Sequence, residues 1–563
     1  MVSTEPRPAR VEEVAEPVDS DHPGRTAAAL AIVALAVALP LRELFRHQGA
    51  PMEEGFMLTF PEMVLHGQVP NRDFLHLYGP ASLWALAGAY KVFGVSLATE
   101  RTVGLLQHLG VIFGLFALAR PWGRRVATPC ALVAVLITLF PVGLAAMAWN
   151  GAVALAVVGL AVGLPALRRA EADPTPVGRL FLAGLLGGLA LLYRPDMVVA
   201  VALGFGALAW SLGRRRLRPL LIGGAAGVAP YLVHLVMAGP GPAVRGMVLD
   251  PVFKLRGGRS LPVPPSLDTL DGALHKVARL VPAPWPLPHL DEPLQVVVWF
   301  FGLLAAALFV AAVGVVRVRQ DPGSPRARAL LCVGLFGLGL LPQALQRPDP
   351  THLGWVSVVV IGFLPVAVHE ALRRPLRSVA TGTRALAAGA VVLLAVVALV
   401  PFFTARSYVE LTRQSFGKDA SRASVRNEGR TFWLGRGPAI AELQAVVDDL
   451  DRMARPGDQV IVGPADLRYT HYSDAYLYHL LPRQRPGTRY VEMDPGVANA
   501  SDSGLADELR RADWFVASHI WDAWDEPNDS KVAGSGEPNR VVAERFCLVR
   551  DYGRFVALYH RCR

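Results

Sequence analysis

Two adjacent acids, Glu53 and Glu54, begin the part of this sequence whose residue types are best suited to chemistry. They open the stretch EEGFMLTFPEMVLHGQVPNRDFLHLYGP, which closely follows the first long apolar run. Ionisable groups beside a membrane are costly unless they are solvated or paired, so they are functional candidates by default. One carboxylate could act as a general base that removes the proton of an attacking hydroxyl group. The alternative is that both are solvated loop acids.

The same stretch contains three further candidates for substrate binding, Arg72, Asp73 and Tyr78. Arg72 and Asp73 could bind a charged or polar group, and the alternative is that they form a local ion pair. Tyr78 could contact a substrate, and the alternative is that it packs at the membrane interface with its hydroxyl group in water.

Two similar elements, YRPD and RPDPTH, each follow one apolar run and precede another. They contain Arg194 with Asp196, and Arg347 with Asp349 and His352. Proline between Arg and Asp ends a helix, which lets both side chains turn away from it. Because guanidinium groups suit phosphate oxygens, we expect Arg347 to contact a phosphate, with Arg194 as the second candidate. The alternatives are ion pairs that terminate helices and, for His352, a solvated loop histidine.

The composition indicates a membrane protein. Apolar residues make up 52% of the 563 residues, and charged residues only 18%, whereas soluble domains are nearer a quarter charged. The formal net charge is +10. Most of the excess is arginine in short loops between apolar runs, a pattern that sets membrane topology, so we expect no nucleic-acid partner.

The apolar runs predict an all-α polytopic domain with about eleven transmembrane helices, because lipid-buried backbone must satisfy its own hydrogen bonds. A further segment, 81–95, is short for a crossing and carries Trp84, Tyr90 and Lys91, which suit a helix lying along the outer membrane surface. The predicted spans are 26–44, 102–119, 126–143, 146–167, 179–193, 196–213, 219–238, 294–316, 328–345, 353–371 and 384–403.

Arginine clusters in alternate loops predict the orientation. Cytoplasmic loops are enriched in Lys and Arg, so the clusters are assigned to the inside. The N-terminal tail, residues 1–25, is then cytoplasmic and is expected to be disordered. The odd number of crossings puts residues 405–563 outside. The clusters are Arg120, Arg124 and Arg125; Arg168 and Arg169; Arg214, Arg215, Arg216 and Arg218; Arg317, Arg319, Arg326 and Arg328; and Arg373, Arg374 and Arg377.

Residues 405–563 have the composition of a soluble α/β domain. AELQAVVDDLDRMA has the period of an amphipathic helix, GDQVIVGP that of a strand, and ELRRADWFVASHI that of a helix followed by a strand. Cys547 and Cys562 would lie on facing strands at the end. Outside the cell they can form a disulfide, and the alternative is two unpaired thiols.

The first outer loop resembles that of GT-C-fold glycosyltransferases. The shared pattern is an acidic pair followed by Gly, then a helix, then G-x-x-P-x-x-D-F and Y-G-P. In pattern it is similar to bacterial proteins related to the polyprenyl- and dolichyl-phosphate-mannose protein mannosyltransferases (glycosyltransferase family 39-like). In that family the acids are usually Asp-Glu or Asp-Asp. Matching by order favours Glu53 as the base, with Glu54 as its rival.

The resemblance implies a hexosyl- or pentosyltransferase that takes a sugar from a polyprenyl-phosphate donor. Its acceptor would be an extracytoplasmic glycan, lipid or protein, and its location the cell membrane. It also implies a GT-C-like domain over 26–404, with its first outer loop at 45–101. Transport or flipping of a lipid-linked glycan, or a non-catalytic role in envelope assembly, are the alternatives. No metal-binding motif occurs, although a divalent cation at the donor phosphate stays open.

The topology is testable by labelling single cysteines introduced at Ser20 and Ser503. We expect Ser503→Cys to react with a membrane-impermeant thiol reagent on intact cells, and Ser20→Cys to react only after permeabilisation. If Ser503→Cys is labelled only in permeabilised cells, the orientation is wrong.

Overall fold

The computed structural model describes residues 23–139, 143–168, 176–265, 285–417, 422–522 and 526–562. The predicted tail lies outside them, apart from its last three positions. The described chain forms a helical part followed by a C-terminal domain that contains a β-sheet.

Nineteen α-helices lie in the described residues before the first strand. They are α1 (Pro23–Ala38), α2 (Leu41–Leu44), α3 (Glu53–Leu65), α4 (Ala81–Phe93), α5 (Leu97–Ala119), α6 (Arg124–Thr138), α7 (Ala148–Gly163), α8 (Val177–Tyr193), α9 (Val198–Leu212), α10 (Arg214–Val228), α11 (Pro230–Ala238), α12 (Pro240–Val244), α13 (Arg256–Arg259), α14 (Glu292–Gln320), α15 (Pro325–Gln346), α16 (Pro350–Val360), α17 (Leu364–Ala371), α18 (Thr381–Leu399) and α19 (Ser407–Ser415). Two π-helical segments are Arg245–Leu255 and Phe402–Arg406.

The chain is a multi-pass membrane protein. Seven of the described helical segments are long and apolar enough to cross a bilayer, and α16 with α17, bent by 46°, form an eighth candidate. Helices α1 and α8 are apolar but shorter. Every predicted span coincides with helix over most of its described length, while the count of eleven crossings stays a prediction. Helix α4 has 13 residues, roughly 20 Å, which is shorter than a hydrocarbon core of about 30 Å.

Helices α8 and α15 end where the sequence predicts. The residue after each is Arg194 or Arg347, and both have extended backbone, with φ, ψ of −142°, 99° and −148°, 90°. The following proline excludes the helical conformation at these positions. Both arginines are therefore at helix breaks.

Glycines allow α8 and α10 to pack at very short distance. A Cβ on Gly184 would lie 1.9 Å from the carbonyl oxygen of Leu220, and one on Gly227 would lie 2.4 Å from that of Leu185. Small residues at such contacts let membrane helices approach closely.

The C-terminal domain contains a mixed five-stranded sheet in the order β4-β3-β5-β7-β6. Strands β3, β4 and β5 are parallel, and β7 is antiparallel to β5 and β6. The predicted α/β class is confirmed. The strands are β1 (Arg422–Asn427), β2 (Arg430–Gly435), β3 (Gln459–Pro464), β4 (Arg485–Pro486), β5 (Trp514–Ser518), β6 (Phe546–Asp551) and β7 (Val556–Arg561), and the helices are α20 (Ala439–Met453), α21 (Tyr476–Leu480), α22 (Leu505–Arg511) and α23 (Glu537–Arg545).

A separate hairpin, β1–β2, fixes this domain to the membrane helices. Arg422 pairs with the buried Glu43, and Arg430 pairs with Glu62 of α3. Helix α21 lies directly on α3, since a Cβ on Gly55 would be 2.3 Å from the backbone nitrogen of Tyr476. The C-terminal domain is thus docked on the helix that begins with the acidic pair.

The structure joins Cys547 and Cys562, 15 residues apart, by a disulfide bond. Closing a loop of that length is worth about 3 kcal/mol in the chain-entropy model. We expect Cys547→Ser/Cys562→Ser to lower the stability of the C-terminal domain by up to that amount, measured by pulse proteolysis in urea. Non-reducing peptide mapping that recovers both residues as free thiols after oxidising conditions would contradict the pairing.

Candidate active site

The two acids at the start of α3 have different surroundings because successive side chains on an α-helix point about 100° apart. Glu54 is 1% exposed. Its two carboxylate oxygens accept hydrogen bonds of 2.7 and 2.8 Å from Arg101 of α5. Arg101 also donates to the carbonyl oxygens of Leu44 and His47. Glu54 is therefore committed to a buried, bidentate ion pair that joins three segments of the chain.

Glu53 is half-buried and lines a cavity of about 820 Å³. This volume is in the range of small-molecule sites. Its carboxylate accepts a hydrogen bond of 2.5 Å from the hydroxyl group of Tyr472 in the C-terminal domain. The ring of Tyr472 packs against Trp521, with centroids 4.4 Å apart. Of the acidic pair, Glu53 alone is without an ionic partner among the described residues, which fits it for proton transfer.

Arg194, at the end of α8, also lines the cavity and is 5% exposed. It donates hydrogen bonds of 2.8 and 2.5 Å to the two carboxylate oxygens of Asp196. Its guanidinium carbon lies 4.2 Å from the ring centroid of Tyr78 and 5.2 Å from that of Trp149. Stacking on two aromatic rings and the bidentate ion pair with Asp196 hold the guanidinium group in one orientation.

Arg347, at the end of α15, is held still more firmly. It pairs with Asp349 at 2.7 Å and with Glu526 of the C-terminal domain. Asp349 in turn accepts a hydrogen bond of 2.9 Å from the ring of His352. Burial acts to raise the pKa of Asp349, but His352 and Arg347 outweigh it and hold that pKa well below its ordinary value. All four side chains reach the cavity wall.

Arg72 and Asp73 lie elsewhere. They pair with each other at 2.8 Å, and the Arg72 side chain is 49% exposed. Asp73 also accepts a hydrogen bond from the backbone nitrogen of Val69. Neither residue is among those that line the cavity. The other predicted site residues of the membrane domain all line it, and they are Glu53, Glu54, Tyr78, Arg194, Asp196, Arg347, Asp349 and His352.

The sequence did not point to several residues that the fold brings to the same cavity. The C-terminal domain contributes Tyr472, Glu492, Asp494 and Glu526 to its wall. These positions are separated by some 400 residues from the acidic pair, and no local pattern connects them to it. The run RGGR contributes Arg256 and Arg259. These two arginines, which lie between the predicted spans 219–238 and 294–316, were a signal that could have been followed.

Arg256 differs from the other arginines of the wall. Its side chain is exposed, and within the part of the chain that the structure describes it has no hydrogen-bonding or ionic partner. By contrast, Arg259 pairs with Asp494 at 2.9 Å. Arg256 is thus available to bind an anion.

No group of three or more His, Cys, Asp or Glu residues in the described ranges is arranged to hold a metal ion. Most carboxylates of the cavity are bonded to an arginine or to Tyr472, namely Glu53, Glu54, Asp196, Asp349, Asp494 and Glu526. The described residues of the cavity therefore do not form a site for a divalent cation.

The fold is similar to those of solved structures of other proteins. ArnT from Cupriavidus metallidurans, bound to undecaprenyl phosphate, matches over 95% of this chain and 98% of its own, with 12% identity and a TM-score of 0.52. The Archaeoglobus fulgidus oligosaccharyltransferase tethered with an acceptor peptide matches over 96% of this chain and 74% of its own, with 13% identity and a TM-score of 0.48. No protein-family model matches the chain, and no curated protein matches it. The first similarity confirms the expected GT-C-type fold.

Glu53 and Glu54 have different bonding partners, so replacing each of them should change the stability of the protein by a different amount. Glu54→Gln removes the charge partner of a buried Arg101, which typically costs 3–5 kcal/mol. Because Glu100 also lies near Arg101, we expect about 3 kcal/mol. Glu53→Gln keeps an oxygen that can accept the hydrogen bond from Tyr472 and loses only the negative charge of the acceptor, so it should cost about 1 kcal/mol or less. Thermal unfolding of the detergent-solubilised protein, followed by intrinsic fluorescence, measures both.

The matched control is the double variant Glu54→Leu/Arg101→Met, which removes both charges and should recover part of the loss. Equal unfolding temperatures for Glu53→Gln and Glu54→Gln would contradict the structural role of Glu54.

Proposed function

We propose that this protein is a membrane glycosyltransferase that transfers a sugar from a polyprenyl-phosphate donor to an extracytoplasmic acceptor, with Glu53 as the general base. The observation that carries the proposal is the position of Glu53. Its carboxylate, without an ionic partner in the described chain, faces a cavity whose wall also contains Arg194, Arg256 and Arg347. A base and several guanidinium groups around one cavity are what transfer from a lipid phosphate requires.

Apolar residues in the wall of the cavity support a lipid-anchored donor. They come from the π-helical segment Arg245–Leu255, from the start of α14 and from the end of α15. They are Met247, Val252, Leu255, Val296 and Leu345. On the same segment Val252 and Phe253 are 47% and 77% exposed. A lipid tail could lie against such a surface while its phosphate reaches the arginines. ArnT, which shares the fold, was solved with undecaprenyl phosphate bound.

The proposed reaction is a single displacement at the anomeric carbon. Glu53 accepts the proton of the acceptor hydroxyl as its oxygen forms a bond to the anomeric carbon. The bond from that carbon to the phosphate oxygen breaks, and its electron pair leaves with the polyprenyl phosphate. One displacement inverts the anomeric configuration. Charge grows on the phosphate during the step, so guanidinium groups at the phosphate stabilise the transition state.

Tyr472 is the proposed positioning residue for this base. Its hydroxyl group donates to Glu53 and also receives a hydrogen bond of 3.5 Å from the backbone nitrogen of Met52. This arrangement orients one carboxylate oxygen and leaves the other to receive a proton. The C-terminal domain therefore takes part in catalysis under this proposal, and both it and the cavity lie on the extracytoplasmic side.

The test is a lipid-linked sugar turnover assay on the purified protein. We expect Glu53→Gln to lower kcat by about 10²–10⁴-fold without unfolding the protein, since removal of a general base typically has that effect. The matched control is Glu537→Gln, an exposed acid of α23 that pairs with Arg510 outside the cavity, which should keep near wild-type turnover. Wild-type activity in Glu53→Gln would show that the assignment of the base is wrong.

The same assay examines the phosphate contacts. Arg347→Ala, Arg194→Ala and Arg256→Ala should each raise the donor concentration needed for half-maximal rate, and they should lower kcat where the contact strengthens in the transition state. Arg468→Ala, at an exposed ion pair with Asp466 outside the cavity, is the control.

A further inference from the structure

Two buried acids of the C-terminal domain, Glu492 and Asp494, line the cavity. They are 4% and 2% exposed. Between them Met493 is fully buried, and its φ of 52° is in the left-handed region. Non-glycine residues adopt that conformation only where the surroundings fix it. The backbone is thus held so that the residues on both sides of Met493 reach the same cavity.

Each acid keeps one buried oxygen without a hydrogen-bond partner in the described chain. These are Oε1 of Glu492 and Oδ2 of Asp494. A buried polar atom left unsatisfied costs about 1–3 kcal/mol, and most such atoms in proteins are bonded. Two of them side by side on a cavity wall indicate that a ligand supplies the missing partners.

Arg259 determines what kind of ligand fits. It pairs with the other oxygen of Asp494 at 2.9 Å and donates to the carbonyl oxygen of His471 at 3.0 Å. The charge of Asp494 is therefore already compensated. Burial raises the pKa of Glu492 well above its ordinary value, and the nearby charge of Asp494 raises it further. A protonated Glu492 carries no charge, and it can both donate and accept a hydrogen bond.

A neutral ligand with hydroxyl groups satisfies this wall better than an ion does. A metal ion needs several convergent ligands, and the described residues form no such group. A second anion would lie against unpaired carboxyl oxygens. A hydroxyl group donates to Asp494 and can either donate to or accept from Glu492. Glu492 is also near enough to Glu53 for their charges to interact, so this wall adjoins the proposed base.

We propose that Glu492 and Asp494, with Arg259 fixing the latter, form a subsite that binds the hydroxyl groups of a sugar ring next to Glu53. This inference rests on the function proposed above and adds the residues that recognise the carbohydrate. The ring could belong to the donor or to the acceptor, and the chemistry is the same in both cases. The subsite belongs to the C-terminal domain, whereas the phosphate contacts belong mainly to the membrane domain.

The experiment compares the affinity of the full-length protein for undecaprenyl phosphate with its affinity for undecaprenyl-phosphate-linked hexoses and pentoses. The sugar should tighten binding to wild type. Glu492→Leu should weaken binding of the sugar-bearing lipid about tenfold, which corresponds to one lost hydrogen-bonding group of about 1.4 kcal/mol. Its affinity for the bare lipid should be the same as that of wild type. Glu492→Gln, which still donates and accepts hydrogen bonds, should keep most of the increment and serves as the matched variant.

A second arm measures the KM for the acceptor in the same variants. If Glu492→Leu raises only the KM for the acceptor, the bound ring belongs to the acceptor. If Glu492→Leu loses the gain in lipid affinity that the sugar gives, the ring belongs to the donor. Either result supports the subsite. An unchanged increment together with an unchanged KM overturns it, and so does equal weakening of bare and sugar-bearing lipid. Wild-type protein that binds neither lipid would instead overturn the proposed function.

Discussion

The buried ion pair between Glu54 and Arg101 is the interaction on which the geometry of the site depends. It ties the first turn of α3 to α5 and, through two backbone carbonyl groups, to the chain at Leu44 and His47. A buried guanidinium without its carboxylate is strongly destabilising, so the rotation of α3 about its axis is fixed. Glu53, about 100° further around the helix, then has only the cavity to face.

The C-terminal domain is the second constraint, because it closes the site that the membrane helices begin. An ion pair with Glu43 of α2, an ion pair with Glu62 of α3 and the contact at Gly55 seat it on these two helices. From that position it reaches Glu53 through Tyr472 and Arg347 through Glu526. A site divided between two parts of the chain is complete only when both are docked. Correct docking is therefore a condition for any chemistry here, and removing the domain would remove one wall of the cavity.

The sequence predicted those features that depend on local pattern. Apolar runs located the helices, and Pro after Arg194 and Arg347 correctly predicted where α8 and α15 end. Local pattern could not separate Glu53 from Glu54, since the difference lies in Arg101, which is 47 residues away. It also could not find Glu492 or Glu526, whose approach depends on domain docking. Arg72 and Asp73 have the same residue types as the Arg-Asp pairs at α8 and α15 that line the cavity. The fold leaves Arg72 and Asp73 outside it, with Arg72 exposed.

The charge balance of the cavity fits the departure of a phosphate better than its initial binding. Of the guanidinium groups on the described wall, those of Arg101, Arg194, Arg259 and Arg347 are bonded to carboxylates, and only Arg256 lacks such a partner. A lipid-phosphate sugar is a phosphodiester with one negative charge, which one unpaired guanidinium can neutralise. When the sugar leaves, the phosphate gains a second charge. Under the proposed reaction, Arg194 and Arg347 would meet that charge with N–H donors that are already held in orientation, as catalysis by differential binding requires.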